Sequence, residues 1–150
     1  MQSRKTAAMN NKEIINVPIG TNKKDIKERE RIISEVYRCW YEANPSKSVF
    51  NTNLNDYINV RFLSINETIR HAAKTYLSTL AVLQLDLVLR SAYQVGESCP
   101  PKIGVNNQKE FSEIIVMECP LVGIGIAKLT VGVKRKTGMK IQYCITAIGT

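Results

Sequence analysis

The chain carries a single histidine, His71, and a single tryptophan among its 150 residues. One imidazole excludes any catalytic pair of histidines. The four cysteines, Cys39, Cys99, Cys119 and Cys144, are scattered with no CxxC pair, which together with the lone histidine argues against a structural zinc set. No apolar run approaches the roughly 20 residues of a membrane-spanning helix. The start Met1-Gln2-Ser3-Arg4-Lys5 lacks the apolar centre of a secretory signal. The expectation is therefore a cytoplasmic protein without membrane association, its thiols free and mostly buried in a reducing compartment. Phosphate-binding glycine loops are missing, and neither Ser48, Ser91 nor any cysteine has an identifiable base partner for nucleophilic catalysis. Glu110, Glu113 and Glu118 stand on or beside one predicted strand but lack the clustered oxygen donors of a divalent-metal site. Neither metal nor cofactor is expected.

Acidic residues also stop early. After Glu118 there is none, while Lys128, Lys134, Arg135, Lys136 and Lys140 remain. With a net charge of +8 and a pI near 9.4, the surface concentrates polyanions. The C-terminal basic residues are either phosphate contacts or solvated strand and turn residues kept basic against aggregation, and both readings stand. At 44% hydrophobic and 23% charged residues, the chain is a soluble globular one with length enough for one domain and a sizeable core.

Ser64 followed three residues later by Glu67 has the form of a capping box, so a helix is expected to start there. Winding it at about 100° per residue places Ile65, Ile69, Ala72, Ala73 and Tyr76 on one side. Glu67, Arg70, His71, Lys74, Thr75 and Ser78 gather on the other. Ser78 and Thr79 should break or re-cap this helix before a second, apolar one with Leu80, Leu83 and Leu87, ending near Ser91 and stopping at Gly96. Upstream, Met1 to Asn11 reads as a loose tail, and Ile14 to Ile19 as an edge strand or arm interrupted by Pro18. Thr21 or Asn22 caps a helix running to Ala43, of which only the half bearing Ile32, Val36, Cys39 and Trp40 need dock. Pro45 to Asn53 reads as a loop and Tyr57 to Leu63 as a strand. The segment after Gly96 reads as a long mobile loop, placed as a lid would be. Phe111 to Cys119, Gly125 to Lys134 and Lys140 to Ile148 read as an antiparallel meander, turning at Val122-Gly123 and Lys136-Thr137-Gly138.

His71 is the one side chain whose unperturbed pKa lies near neutrality, and Arg70 and Lys74 beside it suit a phosphate. RNA cleavage through the 2′-hydroxyl requires little more: a base, an acid and a cation for the phosphorane charge. The alternative is a partly exposed helical histidine bonded to a neighbour. In the last strand, alternation puts Gln142, Cys144 and Thr146 on one face and Tyr143 and Ile145 on the other. Tyr143 and Thr146 are either phosphate or base contacts, or strand residues half in the core.

The order of elements from Tyr57 to Ile148 resembles large polyvalent protein-associated domains of mobile genetic elements and the barnase/EndoU/colicin/RelE nuclease superfamily. It rests on SINETIRHAAKTYLSTLAVLQLDLVLRSA followed by EFSEIIVMECPLVGIGIAKLTVGVKRKTGMKIQYCITAI. It includes an early helical histidine near a lysine and a terminal strand with a tyrosine. The resemblance implies helices on an antiparallel sheet and metal-independent RNA cleavage, with His71 as acid/base, Lys74 as phosphate cation, and Tyr143 or Thr146 contributing. A second histidine is missing, a departure from a two-residue acid/base site. The expected fold is α+β, with helices on a four-stranded, mostly antiparallel sheet. Residues 1–20 form a tail or arm, and 21–150 one domain with an added helix over 21–44 and a core over 55–150. The expected function is an RNA-binding module or ribonuclease of a mobile element, with Arg70, Lys128, Lys134, Arg135 and Lys140 as nucleic-acid contacts. The alternative is a non-catalytic accessory domain for DNA or for a partner protein held through the 21–44 helix.

Overall fold

The computed structural model describes residues 4–9, 13–105 and 108–149. α1 (Lys23–Ala43) begins at Asn22, whose Oδ1 accepts the Asp25 N–H at 2.9 Å and so satisfies one of the donors every helix start leaves unpaired. Ile32, Ile33, Val36, Tyr37 and Trp40 bury one stripe of this helix. Its charged first half docks as well, contrary to the reading that only the second half need do so. Arg29 is 0% exposed. Its Nε donates to the Ala73 carbonyl at 2.8 Å, and its Nη1 to those of Pro18 and Gly20 at 2.8 and 2.7 Å. Five rigid donors suit a cluster of carbonyls, here including the Ala73 carbonyl just past the next helix. Burial lowers the guanidinium pKa from its ordinary value, and the charge of Asp25 opposes the shift.

The main sheet has six strands rather than four, in the order β3-β4-β8-β7-β6-β5. β6 (Phe111–Leu121), β7 (Gly125–Lys134) and β8 (Lys140–Ile148) are antiparallel neighbours. β3 (Ser48–Asn51) lies in the stretch read as a loop and pairs with β4 (Asp56–Asn59) as a hairpin. β4 joins β8 through a short parallel bridge, Ile58 opposite Lys140 and Asn59 opposite Ile141. β5 (Tyr93–Gln94) borders β6. The strand expected to reach Leu63 ends at Asn59, because Phe62 and Leu63 already open a helix. Part of the expected loose tail is also ordered: β1 (Arg4–Met9) and β2 (Glu13–Pro18) form a separate antiparallel hairpin beside the helix over Tyr76–Leu83, with β2 also against α1. Residues 1–3 and 10–12 lie outside the described residues.

Three helices stand where two were expected: α2 (Phe62–Ala72), α3 (Tyr76–Leu83) and α4 (Leu85–Ser91). The Ser64–Glu67 capping box does not form. Arg61 is the N-cap, and Ser64 sits inside the first turn, its Oγ accepting the Arg61 N–H at 2.9 Å and donating to the Gln142 carbonyl. The break falls earlier than Ser78, at Thr75, whose Oγ1 accepts the Ser78 N–H at 3.2 Å. Ser78 is buried, and its Oγ accepts the Ala147 N–H at 2.9 Å. Both serines solve one problem. β4 covers only the first two residues of β8, and the backbone groups further along that edge need partners.

Leu129, Val131, Met117 and Ile145 turn toward the helices and join Ile32, Val36, Val88 and Leu89 in the main core. Phe111, Ile114, Ile141, Tyr143 and Cys144 form a smaller cluster with Leu63 and Met139. Gly132 lies under the Phe111 ring: a Cβ there would stand 2.5 Å from it, which explains a glycine in mid-strand. The expected alternation in β8 fails because of a bulge. Thr130 opposes Cys144 while Val131 opposes Gln142, so Tyr143 is an extra residue. Gln142 therefore shares the helix-facing side with Ile145 instead of the side of Cys144.

Turned inward, Gln142 enters a buried polar ring. Its Oε1 is 2.7 Å from the Tyr37 hydroxyl, its Nε2 donates to Thr68 Oγ1 at 2.9 Å, and Thr68 Oγ1 is 3.2 Å from the same tyrosine oxygen. Tyrosine has one proton to give, so with Oε1 as its acceptor the threonine hydroxyl closes the ring. Burial raises the Tyr37 pKa far above the ordinary phenol value. Removing that hydroxyl leaves Oε1 buried without a donor. Tyr37→Phe is expected to lose about 1–3 kcal/mol of stability in urea unfolding, with little change in the cooperativity of the transition.

Candidate functional site

The polar face of α2 survives in the structure in reduced form. Helical spacing brings Glu67, Arg70 and His71 together: Glu67 Oε1 is 3.5 Å from both Arg70 Nη2 and His71 Nε2, and those two nitrogens are 3.4 Å apart. The carboxylate side chain is 5% exposed and the imidazole 40%. At these separations the contacts are electrostatic rather than short hydrogen bonds. A buried carboxylate thus stands behind an imidazole and a guanidinium that both reach solvent. Such a group can exchange a proton and hold an anion beside it.

The other members of the expected arc are placed differently. Lys74 is exposed just beyond α2, and its carbonyl accepts from Arg29 Nη2 at 3.4 Å. The Thr75 hydroxyl caps α3, and Ser78 lies beneath the surface. Tyr143, at the bulge, is 8% exposed and sets its ring edge-on to Phe111, with centroids 6.2 Å apart and planes at 85°. Thr146 is half-buried and faces Lys128 across the β7–β8 ladder. α2 lies against β8 at this level, with Cys144 Sγ 3.7 Å from the Glu67 carbonyl oxygen. Burial, reinforced by the Glu67 charge, pushes the Cys144 thiol up to about 12.

The five expected nucleic-acid contacts divide into three places. Arg70 belongs to the α2 group. Lys128 is exposed in mid-strand, between Thr146 and Glu118 in the register. Lys134, Arg135 and Lys140 flank the β7–β8 turn, and each is engaged. Lys134 Nζ is 3.4 Å from Glu110 Oε1, and Arg135 Nε donates to the Lys109 carbonyl at 3.1 Å. Lys140 Nζ is 2.8 Å from Asp56 Oδ2, and this contact lowers the Asp56 pKa from its usual value. Lys136 is exposed at the turn itself.

Two further basic residues reach the same end of the sheet. Arg61 Nη2 is 3.0 Å from Met139 Sδ, and Lys109 is brought in as the Arg135 N–H donates to the Glu110 carbonyl at 2.9 Å. Neither carries a sequence signal. Each is an isolated basic residue far along the chain from Lys134–Lys140, and the convergence is tertiary. The segment read as a lid is pinned at its start, where Cys99 and Ile114 exchange backbone bonds of 2.8 and 2.7 Å. Gln108 Oε1 then accepts the Lys102 N–H at 2.7 Å. Residues 106–107 lie outside the described residues.

The 21–44 helix, expected to hold a partner protein, pairs charges along its own surface: Arg31 with Glu28 at 2.7 Å, and Arg38 with Glu35 and Glu42. Among the described residues no three of His, Cys, Asp or Glu converge as a metal-ligand set, and no helix is long and apolar enough to cross a membrane. No family model, curated protein or solved structure matches the chain.

The thiols give a direct check on how α2 seats over β8. At pH 8, iodoacetamide is expected to modify exposed Cys99 first. Cys144, protonated and covered, and Cys119, raised by burial, should react only in denaturant, as resolved by peptide mass spectrometry. Rapid native labelling of Cys144 would show that α2 does not cover the strand.

Proposed function

We propose that this protein is a basic RNA-binding module of the mobile-element type its sequence resembles, and that its phosphate contacts lie at the end of the sheet where β7 turns into β8. One observation carries the reading. Arg61, Lys109, Arg135 and Lys136, from three separate parts of the chain, are all exposed at that end. Two of the carboxylates there, Asp56 and Glu110, are already taken up by Lys140 and Lys134. Excess positive charge gathered from distant segments favours a polyanion over a neutral partner. The test is salt dependence. Each phosphate contact to a single strand adds about 0.7 to the slope of log affinity against log salt. Arg135→Glu with Lys136→Glu should lower the slope for single-stranded RNA by about 1.4 and weaken binding. An unchanged slope would place the contacts elsewhere.

The Glu67–Arg70–His71 group favours a second reading, metal-independent RNA cleavage. In it, His71 takes the 2′-hydroxyl proton as that oxygen attacks phosphorus, Glu67 stabilises the imidazolium that results, and Arg70 or Lys74 holds the phosphorane charge. The bond to the 5′-oxygen breaks as that oxygen takes a proton from the imidazolium or from water. His71→Ala should then slow cleavage by about 10² to 10⁴ with binding nearly intact, and the parent activity should persist in chelator. RNA left whole by the parent protein would remove this reading and leave the binding module.

A further inference from the structure

Two large aromatic side chains lie open on the sheet face turned away from the helices. Phe50 on β3 and Tyr57 on β4 oppose each other in the register and are 40% and 55% exposed. Their rings meet edge-to-face, with centroids 5.3 Å apart and planes at 75°. Neither belongs to either apolar cluster. Their neighbours Val49 and Ile58 point the other way into the main core, and Asn51 donates to the Leu89 carbonyl of α4 and to that of Ala92 just past it, both at 2.9 Å. The strand period therefore fixes Phe50 and Tyr57 on the outer side.

The same period leads from the aromatic pair to the basic end. Ile58 and Val60 are both 0% exposed and inward, so Tyr57, Asn59 and Arg61 follow one another along the outer side, and the backbone at Arg61 is still extended (φ −127°, ψ 177°). Four residues at about 3.3 Å each separate Tyr57 from Arg61 by about 13 Å. Arg61 in turn reaches Met139, beside the turn that carries Arg135 and Lys136. Asp56, next to Tyr57 in the chain, is held by Lys140 and does not repel an anion unopposed.

We propose that Phe50 and Tyr57 are a stacking platform for the bases of single-stranded RNA, whose backbone runs past Arg61 onto the basic turn. This rests on the RNA-binding reading and adds its substrate class: an unpaired strand rather than a duplex. Rings open to solvent serve base stacking, which is worth about 1–3 kcal/mol per base and tolerates any sequence, whereas a duplex keeps its bases stacked on each other. The charge beside the rings selects a polynucleotide over an apolar protein surface.

The test uses the full chain and fluorescence anisotropy with a labelled oligouridine and a duplex RNA of the same length. Phe50→Ala with Tyr57→Ala is expected to weaken oligouridine binding about tenfold or more. Its salt slope and its duplex binding should stay unchanged, since no phosphate contact is removed. Phe50→Trp with Tyr57→Trp should keep the affinity, and melting by circular dichroism should show each variant folded. Arg135→Glu with Lys136→Glu should instead reduce both affinity and slope. If the alanine variant binds oligouridine as the parent does while the charge variant fails, the platform is wrong and RNA binding stands. Parent protein that binds no RNA at about 50 mM salt overturns both. A parent dimer that the alanine pair converts to monomer in sedimentation, with RNA binding unchanged, makes the rings an interface between copies and overturns the platform.

Discussion

The side-chain amide of Gln142 is the constraint on which the arrangement of helices and sheet depends. It is fully buried where α1, α2 and β8 meet, and an amide without partners there would cost several kcal/mol. Tyr37, Thr68 and Ser64 supply those partners from two helices. One register of β8 meets this requirement. A one-residue slip would carry the amide to the opposite face and leave the Tyr37 and Thr68 hydroxyls facing apolar surface. The apolar core provides most of the driving force for folding, since burial scales with apolar area. The ring discriminates between packings of similar area.

The bulge at Tyr143 follows from the same requirement. Without the extra residue, Gln142 and Ile145 would lie on opposite faces, because three steps along a regular strand invert the side chain. Both are needed inside, Ile145 against the helices and Gln142 in the ring. With α2 held over β8 by Ser64, Thr68 and the Glu67 carbonyl, its next turn carries Arg70 and His71 outward at the sheet edge. The buried ring therefore positions the polar face of α2.

The legible parts of the fold are those whose signals are local. Asn22 capping α1, the 3.6-residue stripe from Ile32 to Trp40 and the alternation of Lys128, Thr130, Gly132 and Lys134 with Leu129, Val131 and Val133 all lie within single elements, and sequence spacing is enough to place them. The unread parts arise between elements. Arg29 looks like one more charge in an interleaved run, and its four carbonyl acceptors come from two other parts of the chain. Ser64 has a cap's sequence context and a different partner, because the exposed edge of β8 competes for its hydroxyl. β3 is four residues long with Ser and Asn at its ends, too short and polar for a strand pattern to emerge. Of the site, the neighbours of His71 were readable from helical spacing. The burial of Tyr143 agrees with the alternative of a strand residue in the core, but its place beside Phe111 rather than on the side of Ile145 was not readable, since it depends on a bulge that no dipeptide announces. The meeting of Arg61 and Lys109 with the β7–β8 turn was not readable either.

Ion pairing then decides where the net charge of +8 acts. Pairs such as Arg31–Glu28, Arg38–Glu42 and Arg90–Asp86 are exposed and within one helix each, so solvent screening leaves them little part in stability. Their larger effect is on the field. They neutralise charge locally along the solvent sides of α1 and α4, where a polyanion would otherwise find scattered cations. At the β7–β8 end, Asp56 and Glu110 offset Lys140 and Lys134, while Arg61, Arg135 and Lys136 lie beyond those pairs. A uniformly basic surface would bind polyanions in many orientations. With the helical sides neutralised, the unpaired positive charge is concentrated at one end of the sheet, beside the outer face on which β3 and β4 present Phe50 and Tyr57.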